Sequence, residues 1–234
     1  MPITKETFEF LAENRFRNSK QWYDEHKDIY RRCVVDPLAQ MVCDMTETMQ
    51  SIDPQIVCSP KIGGCISRIR RDTRYTHDKS LYRANAWIVF GRRDRLHKNL
   101  PSFYFDMSSS GFICGCGYYR ADTSTVIAVR DLILSGDKDF EKVVKAYEAQ
   151  SVFKFEGESY KKKRFPEESG ARSEWLEKRN YVFNRTCTDM QELFSPDLAK
   201  KLAEDFKLLA PMYHFLLKAE NSKKNEVIRP AFDF

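Results

Sequence analysis

The sequence is poor in the residues that interrupt structure, with 9 Gly and 9 Pro among 234 residues. That scarcity excludes collagen-like and low-complexity chains. No apolar run approaches the roughly 20 residues needed to span a bilayer, so no membrane partner is expected. Histidine occurs only at His26, His77, His97 and His214. No two of them stand at H-x-H or H-x-x-x-H spacing, and Cys114-Gly115-Cys116 is the one close thiol pair. Two thiolates without further partners are a weak ligand set, so core packing is the expected role of this pair and no metal is expected. The chain has no G-x-S-x-G nucleophile elbow. Gly115-x-Gly117 lacks the third glycine and the following helix start of a dinucleotide-binding turn, so no cofactor is expected.

Aromatic residues, by contrast, are plentiful. The 17 Phe, 11 Tyr and 3 Trp supply enough apolar mass for a core and exclude global disorder. The length suits one domain or two small ones. No internal repeat and no linker-like stretch divides the chain, so residues 1–234 read as a single domain. The 7 cysteines are an odd number, and no apolar stretch of signal-peptide type precedes Thr4. The chain therefore reads as a reduced, cytoplasmic protein.

The order of local patterns points to fold class. Thr4 and Asn18-Ser19 are helix-start residues. Trp22, Tyr23, His26, Ile29, Tyr30 and Cys33 then recur at helical steps until Pro37 breaks or restarts the period. Leu38, Met41, Val42, Met45 and Met49 form a second stripe, with Asp53-Pro54 at its exit. Short apolar or alternating runs follow at 65–69, 85–90, 103–107 and 112–119, which are strand signals. Ser108 to Gly111 reads as a hairpin turn between the last two. In the final run Gly115 and Gly117 share one face, leaving a groove for a packed helix or, less favoured, a ligand. Helices return after Thr123, and Asp137 or Asp139 caps the next. Residues 151–188 read as irregular apart from a strand at 181–185. Ser195-Pro196 starts a helix through Leu198, Leu202, Phe206 and Leu209, and Pro211 ends or kinks it before a short apolar tail at 212–217. Helices, then clustered strands, then helices indicate an α+β fold with an antiparallel or mixed central sheet flanked by helices.

Charge is concentrated. The formal balance is +5, yet residues 68–98 contain ten basic residues against three acidic ones, a local +7 that leaves −2 for the rest. Such asymmetry points either to an anionic partner or to acids folded against the segment from elsewhere. Within it lies Arg68-Ile69-Arg70-Arg71-Asp72-Thr73-Arg74-Tyr75-Thr76-His77-Asp78-Lys79-Ser80-Leu81-Tyr82. Arg68, Arg71 and Arg74 are spaced by threes. A turn would gather them, and gathered guanidinium forks match phosphate or carboxylate oxygens. Asp72 is placed to accept a hydrogen bond from the backbone two residues on. Asp78 is placed to cap a short turn carrying Lys79 and Tyr82 on one side. Lys79 would add a point charge. Cations beside Tyr82 would favour its phenolate, which makes Tyr82, with Asp72, the candidate catalytic pair. Arg68, Arg71, Arg74, Asp78 and Lys79 are the candidate ligand-binding residues. Elsewhere, Asp106 on a strand reads as a hydrogen-bonded structural carboxylate. Lys161-Lys162-Lys163-Arg164 reads as a solvated basic loop, or as one that closes over an anion held by the arginines.

The pattern Arg-x-x-Arg-Asp-x-Arg-aromatic-x-x-Asp-Lys-x-x-Tyr resembles the hallmark of the family called Domain of Unknown Function 2461. Arg68, Arg71, Asp72, Arg74, Asp78, Lys79 and Tyr82 match it position by position, with Tyr75 where the family usually has Phe. The likeness extends to Asn18-x-x-x-Trp22-Tyr23 with Lys27 and Tyr30, to Phe103-Tyr104-Phe105 leading to Gly115-x-Gly117-Tyr118, and to Ser195-Pro196-Asp197-Leu198. The resemblance implies a bacterial, intracellular protein and supplies no activity.

Three functional readings stay open. One is a site for a phosphorylated or carboxylated small molecule, binding it or acting on it. Another is a structural or protein-interaction role in which the cationic motif is an internal salt-bridge network. The third and least favoured is nucleic-acid binding, since the sequence pI of about 8.7 lies below the level above about 9 of dedicated binders.

Overall fold

Local capping builds the N-terminal helices. A computed structural model describes residues 2–92 and 100–227 of the chain. Thr4 caps α1 (Lys5–Arg17), its N–H donating to the Thr7 hydroxyl at 3.2 Å. Asn18 ends that helix in the left-handed region, at φ 48°. Ser19 then accepts the Trp22 N–H at 3.3 Å and starts α2 (Lys20–Glu25). After α3 (Lys27–Tyr30) comes a π-helical turn, Arg31–Val35, that runs into α4 (Asp36–Ile52). The expected interruption at Pro37 is this widened turn. Proline has no N–H to give, and the Cys33 carbonyl four residues back accepts the buried Thr7 hydroxyl at 2.7 Å instead. The helix thus passes its proline without leaving that acceptor unused.

Among the described residues six strands form one antiparallel sheet in the order β1-β2-β3-β4-β6-β5. They are β1 (Ile56–Val57), β2 (Ala86–Arg92), β3 (Ser102–Ser108), β4 (Gly111–Gly117), β5 (Lys154–Glu156) and β6 (Val182–Cys187). Ile56 faces Arg92 at one edge, and Phe155 faces Phe183 at the other. The expected α+β class is what the structure shows. The strand expected at 65–69 is not regular. It follows β2 through Ser67 N–H to the Trp87 carbonyl at 2.9 Å and Val89 N–H to the Cys65 carbonyl at 2.9 Å. The Ser67 hydroxyl takes the Trp87 N–H at 3.0 Å, so a side chain replaces one rung of the ladder.

By its contacts the chain divides into two compact units. The first is Met1–Arg93 with Tyr104–Cys114 and Thr186–Glu204. Its core holds the apolar stripe of α4 and the buried face of β3, where the Phe105 and Phe112 ring centres lie 5.3 Å apart, tilted at 45°. Asp53, 2% exposed at the end of α4, receives Arg92 at 2.6 Å and 3.1 Å. A short helix, α8 (Met190–Leu193), also lies here and was not anticipated from sequence.

The second unit is Asp94–Phe103 with Gly115–Arg185 and Asp205–Phe234. It contains α5 (Thr123–Leu134) and α6 (Lys138–Glu148), the latter capped by Asp137 as expected. The stretch read as irregular holds β5 and α7 (Gly170–Glu177). Phe155, Trp175, Tyr181 and Phe183 form its aromatic core, with Phe155 and Phe183 stacked at 4.7 Å. One residue, Leu209, separates α9 (Leu198–Leu208) from α10 (Ala210–Val227). Pro211 does not precede a short tail. It sits in the first turn of α10, where no N–H is required. The Glu220 carboxylate, 2% exposed, fastens α10: it accepts Thr125 Oγ1–H at 2.7 Å and Tyr118 Oη–H at 3.0 Å, and pairs with Lys223 at 2.7 Å. No helix among the described residues is long and apolar enough to cross a membrane. All seven cysteines are free thiols.

The glycine face of β4 does not receive a helix. A Cβ on Gly115 would lie 2.0 Å from the Phe183 carbonyl of β6, and one on Gly117, at φ 146°, would lie 2.2 Å from the Tyr181 carbonyl. The neighbouring backbone itself occupies the space. Gly115→Ala should therefore lower unfolding stability by about 3 kcal/mol or more, since rigid backbone must move. Urea denaturation of the variant checks this, and a loss under about 1 kcal/mol would show that the strands are free to separate.

Candidate functional site

The motif is built on two rungs of backbone pairing. Arg71 N–H donates to the Leu81 carbonyl at 2.9 Å, and Arg83 N–H to the Ile69 carbonyl at 3.0 Å, with Arg70 and Tyr82 bridged between them. Ile69 is buried, so Arg68 and Arg70 on either side of it fall on the exposed face, as alternation along an extended chain requires. Residues 72–80 form the excursion that these rungs close.

Two aspartates organise the excursion. Asp72 accepts the Arg74 N–H at 3.1 Å, the local turn its position anticipates, and also binds the Arg74 guanidinium at 3.0 Å and 2.7 Å. Asp78 accepts the Ser80 N–H at 2.9 Å and the Ser80 hydroxyl at 2.5 Å through one oxygen. Its other oxygen takes Arg71 in a close ion pair and Arg15 of α1 at 2.9 Å. Arg15 also reaches the Tyr82 carbonyl at 3.2 Å, and the Asn18 side chain accepts the Leu81 N–H at 2.6 Å. The end of α1 therefore anchors the motif. Lys79 donates to the Thr73 carbonyl at 2.8 Å.

Arg68, Arg70, Arg71, Asp72, Arg83 and Trp87 surround an open hollow of about 400 Å³. Arg71 is held there by Asp78. Arg83 lies over the Trp87 ring at 4.6 Å, a cation–π contact that fixes the guanidinium plane. Arg68 and Arg70 are exposed, and neither guanidinium makes a hydrogen bond or ion pair among the described residues. The threefold spacing of Arg68, Arg71 and Arg74 thus gathers only its first two members. Arg74 turns to Asp72 because a carboxylate two residues away is its nearest partner. Arg70, Arg83 and Trp87 complete the wall and were not singled out as site residues. The available local signal was that Arg68 and Arg70 flank an apolar residue; the pairing that brings Arg83 and Trp87 to them leaves no local mark.

Ionisation states follow from these contacts. The Arg74 side chain and N–H hold the Asp72 carboxyl down at about 2. Ser80, then Arg71 and Arg15, hold Asp78 well below the ordinary carboxylate range. Tyr82 moves the other way. Its side chain is fully buried, 5.2 Å from the Tyr23 ring, and burial raises its pKa against the opposing pull of Arg70. The expectation of a favoured phenolate is therefore corrected, and the Tyr82 hydroxyl is enclosed without a hydrogen-bond partner. Asp78 does not cap a turn that aligns Lys79 with Tyr82, since Lys79 is exposed and Tyr82 faces the core.

Other candidates resolve simply. Asp106, half-buried on β3, accepts both bonds of the Asn85 amide at 2.9 Å and 3.1 Å, and burial raises its pKa. Lys161 to Arg164 line a hollow with Glu158, Ser159, Tyr160 and Arg179, to which no motif residue contributes. Arg93, Arg95 and Lys98 of the basic segment, together with Asp94 and His97, lie outside the described residues.

A family model described as "Conserved hypothetical protein (DUF2461)" matches residues 6–215. Neither a curated protein nor a solved structure matches the chain.

Two expectations follow from this geometry. Tyr82→Phe removes a buried, unpartnered hydroxyl, so chemical denaturation should show stability unchanged or slightly raised. A loss of about 1 kcal/mol or more would reveal a hydrogen bond to that oxygen. The depressed aspartates make the motif acid-sensitive in one direction. Their contribution is complete above the unfolded aspartate pKa of about 4 and is lost as pH falls through the folded value, about 2 for Asp72. Carboxyl-carbon NMR should give an Asp72 midpoint near 2 and an Asp78 midpoint likewise below that of a free aspartate. A midpoint for either at about 4 would show that its pair is open in solution.

Proposed function

The chain belongs to the DUF2461 family, whose description states no activity, and from the site itself we propose that the protein binds a small molecule bearing a phosphate or carboxylate group in the arginine hollow. One observation carries this reading. Arg68 and Arg70 share a hollow with Arg71 and Arg83, yet their guanidinium groups make no hydrogen bond or ion pair among the described residues. Four cations around one opening repel one another, and an anion relieves that repulsion while accepting bidentate hydrogen bonds. Arg71 and Arg83 are pre-positioned, the first by Asp78 and the second by the Trp87 face, so less side-chain freedom is lost on binding. A hollow of about 400 Å³ has the size of small-ligand sites.

Binding rather than turnover is the function this wall supports. Asp72, the one carboxylate in it, is committed to Arg74, and Tyr82 holds its proton more firmly than a free tyrosine does. The internal-network reading has its own support in the Asp78 cluster, which joins Arg15, Arg71 and Ser80. The two roles are compatible, because that cluster sets the Arg71 plane and leaves Arg68 and Arg70 exposed.

Calorimetric titration with inorganic phosphate and with citrate tests the reading. At least one should bind saturably and more weakly as salt is raised. Arg68→Gln combined with Arg70→Gln should weaken binding at least about tenfold, the effect of losing charged hydrogen bonds, without lowering the thermal midpoint. Absence of binding by both anions, or unchanged affinity in the double variant, would overturn it.

A further inference from the structure

The densest run of like charge in the chain lies outside the arginine hollow, on a loop whose backbone is fixed from within the second unit. Glu177, 8% exposed, accepts the Arg164 N–H at 2.8 Å and the Phe165 N–H at 2.9 Å through one carboxylate oxygen. Its carbonyl takes the Tyr160 N–H at 3.1 Å, the Glu158 carbonyl takes the Arg179 N–H at 2.6 Å, and Ser159 and Lys178 form an antiparallel bridge. The loop is thereby tied at both ends, at 158–160 and at 164–165. The buried acid engages main chain and makes no ion pair with the cations above it.

Those cations are unsatisfied. Lys161, Lys162 and Lys163 make no hydrogen bond or ion pair among the described residues. Arg164 lies over the Tyr160 ring, 3.6 Å from its centre, and Arg130 and Arg179 stand 5.1 Å and 5.3 Å from the same ring centre. The single acid in the wall, Glu158, reaches Arg179 at 3.6 Å. The hollow enclosed by residues 158–164 and Arg179 measures about 820 Å³ and carries five cations against one carboxylate.

We propose that this loop is a second anion site, built for a small molecule carrying a chain of adjacent phosphate groups. A local charge of this size is relieved by several ligand charges together and only partly by a single phosphate or carboxylate. Three consecutive lysines between the two tied ends of the loop bring several positive charges to one hollow, which suits a ligand of several adjacent negative charges. Arg164 is held over Tyr160 and makes no hydrogen bond or ion pair through its guanidinium among the described residues, so its donors remain for a ligand. A hollow of about 820 Å³ has the size of small-ligand sites, so a discrete polyphosphate is the occupant proposed and a nucleic-acid strand is the alternative that the test removes. Because arginine covers Tyr160, an attached base gains no stacking platform there. A nucleoside triphosphate and inorganic tripolyphosphate should therefore bind alike.

The experiment is calorimetric titration of the full chain with tripolyphosphate, a nucleoside triphosphate, inorganic phosphate and a mixed single-stranded oligonucleotide. Tripolyphosphate should bind at least about tenfold more tightly than phosphate, as multiple charge contacts imply. Lys162→Glu with Lys163→Glu should weaken tripolyphosphate binding at least about tenfold at an unchanged thermal midpoint. Arg68→Gln with Arg70→Gln should leave it unaffected, which separates this site from the arginine hollow. Equal affinity for phosphate and tripolyphosphate, no effect of the lysine variants, or tighter binding of the oligonucleotide would each overturn the proposal. Nucleoside triphosphate binding much more tightly than tripolyphosphate would also count against it, since the base would then have its own contacts.

Discussion

The Asp78 carboxylate is the contact on which the arginine motif depends. One oxygen serves the Ser80 N–H and hydroxyl, and the other serves Arg71 and Arg15. A single charge thus closes a loop locally and fastens it to a helix 63 residues earlier in the chain. The left-handed Asn18 at the end of α1 adds a neutral tie, its amide oxygen taking the Leu81 N–H. Arg71 is only 17% exposed. A guanidinium so far removed from water needs a carboxylate, so the geometry of the hollow is set by an acid that does not line it.

The same principle governs the rest of the basic segment. A net +7 over 31 residues does not produce a uniform cationic face. Asp53 takes Arg92, Asp72 takes Arg74 and Asp78 takes Arg71. Among the described arginines of the segment, Arg68 and Arg70 stay outside such pairs, and Arg83 is held over Trp87. In the second unit Glu177 does the reverse. By binding backbone N–H groups it orders a loop of cations while pairing with none of them.

Features fixed by short-range chemistry were legible in the sequence. Thr4, Ser19 and Asp137 start helices where their side chains predicted, and Asp72 makes the backbone turn expected two residues on. The apolar stripes of α4 and α9 have the correct period and burial. Features fixed by distant partners were not legible. No local signal reveals that Thr7 will meet the carbonyl freed by Pro37, or that Phe183 and Tyr181 will press their backbone against Gly115 and Gly117. Half of the hollow was missed for the same reason. The Arg70–Tyr82 bridge, which brings Arg83 and Trp87 beside Arg68, forms between segments separated by the excursion.

Tyr82 shows why adjacency in sequence misjudges acidity. Its neighbours in the chain are cationic, and charge alone would lower its pKa. Yet the bridge sets Tyr82 on the same side of the pairing as Arg70, and there the phenol packs beside the Tyr23 ring and is buried while Arg70 stays exposed. Loss of hydration acts on the phenolate more strongly than the guanidinium does, whose charge acts through distance and solvent. Burial wins, and the proton stays. Arg70 and Tyr82 thus share one side of the pairing and differ in exposure, and packing against Tyr23, which strand alternation does not encode, is what withdraws the phenol from the surface.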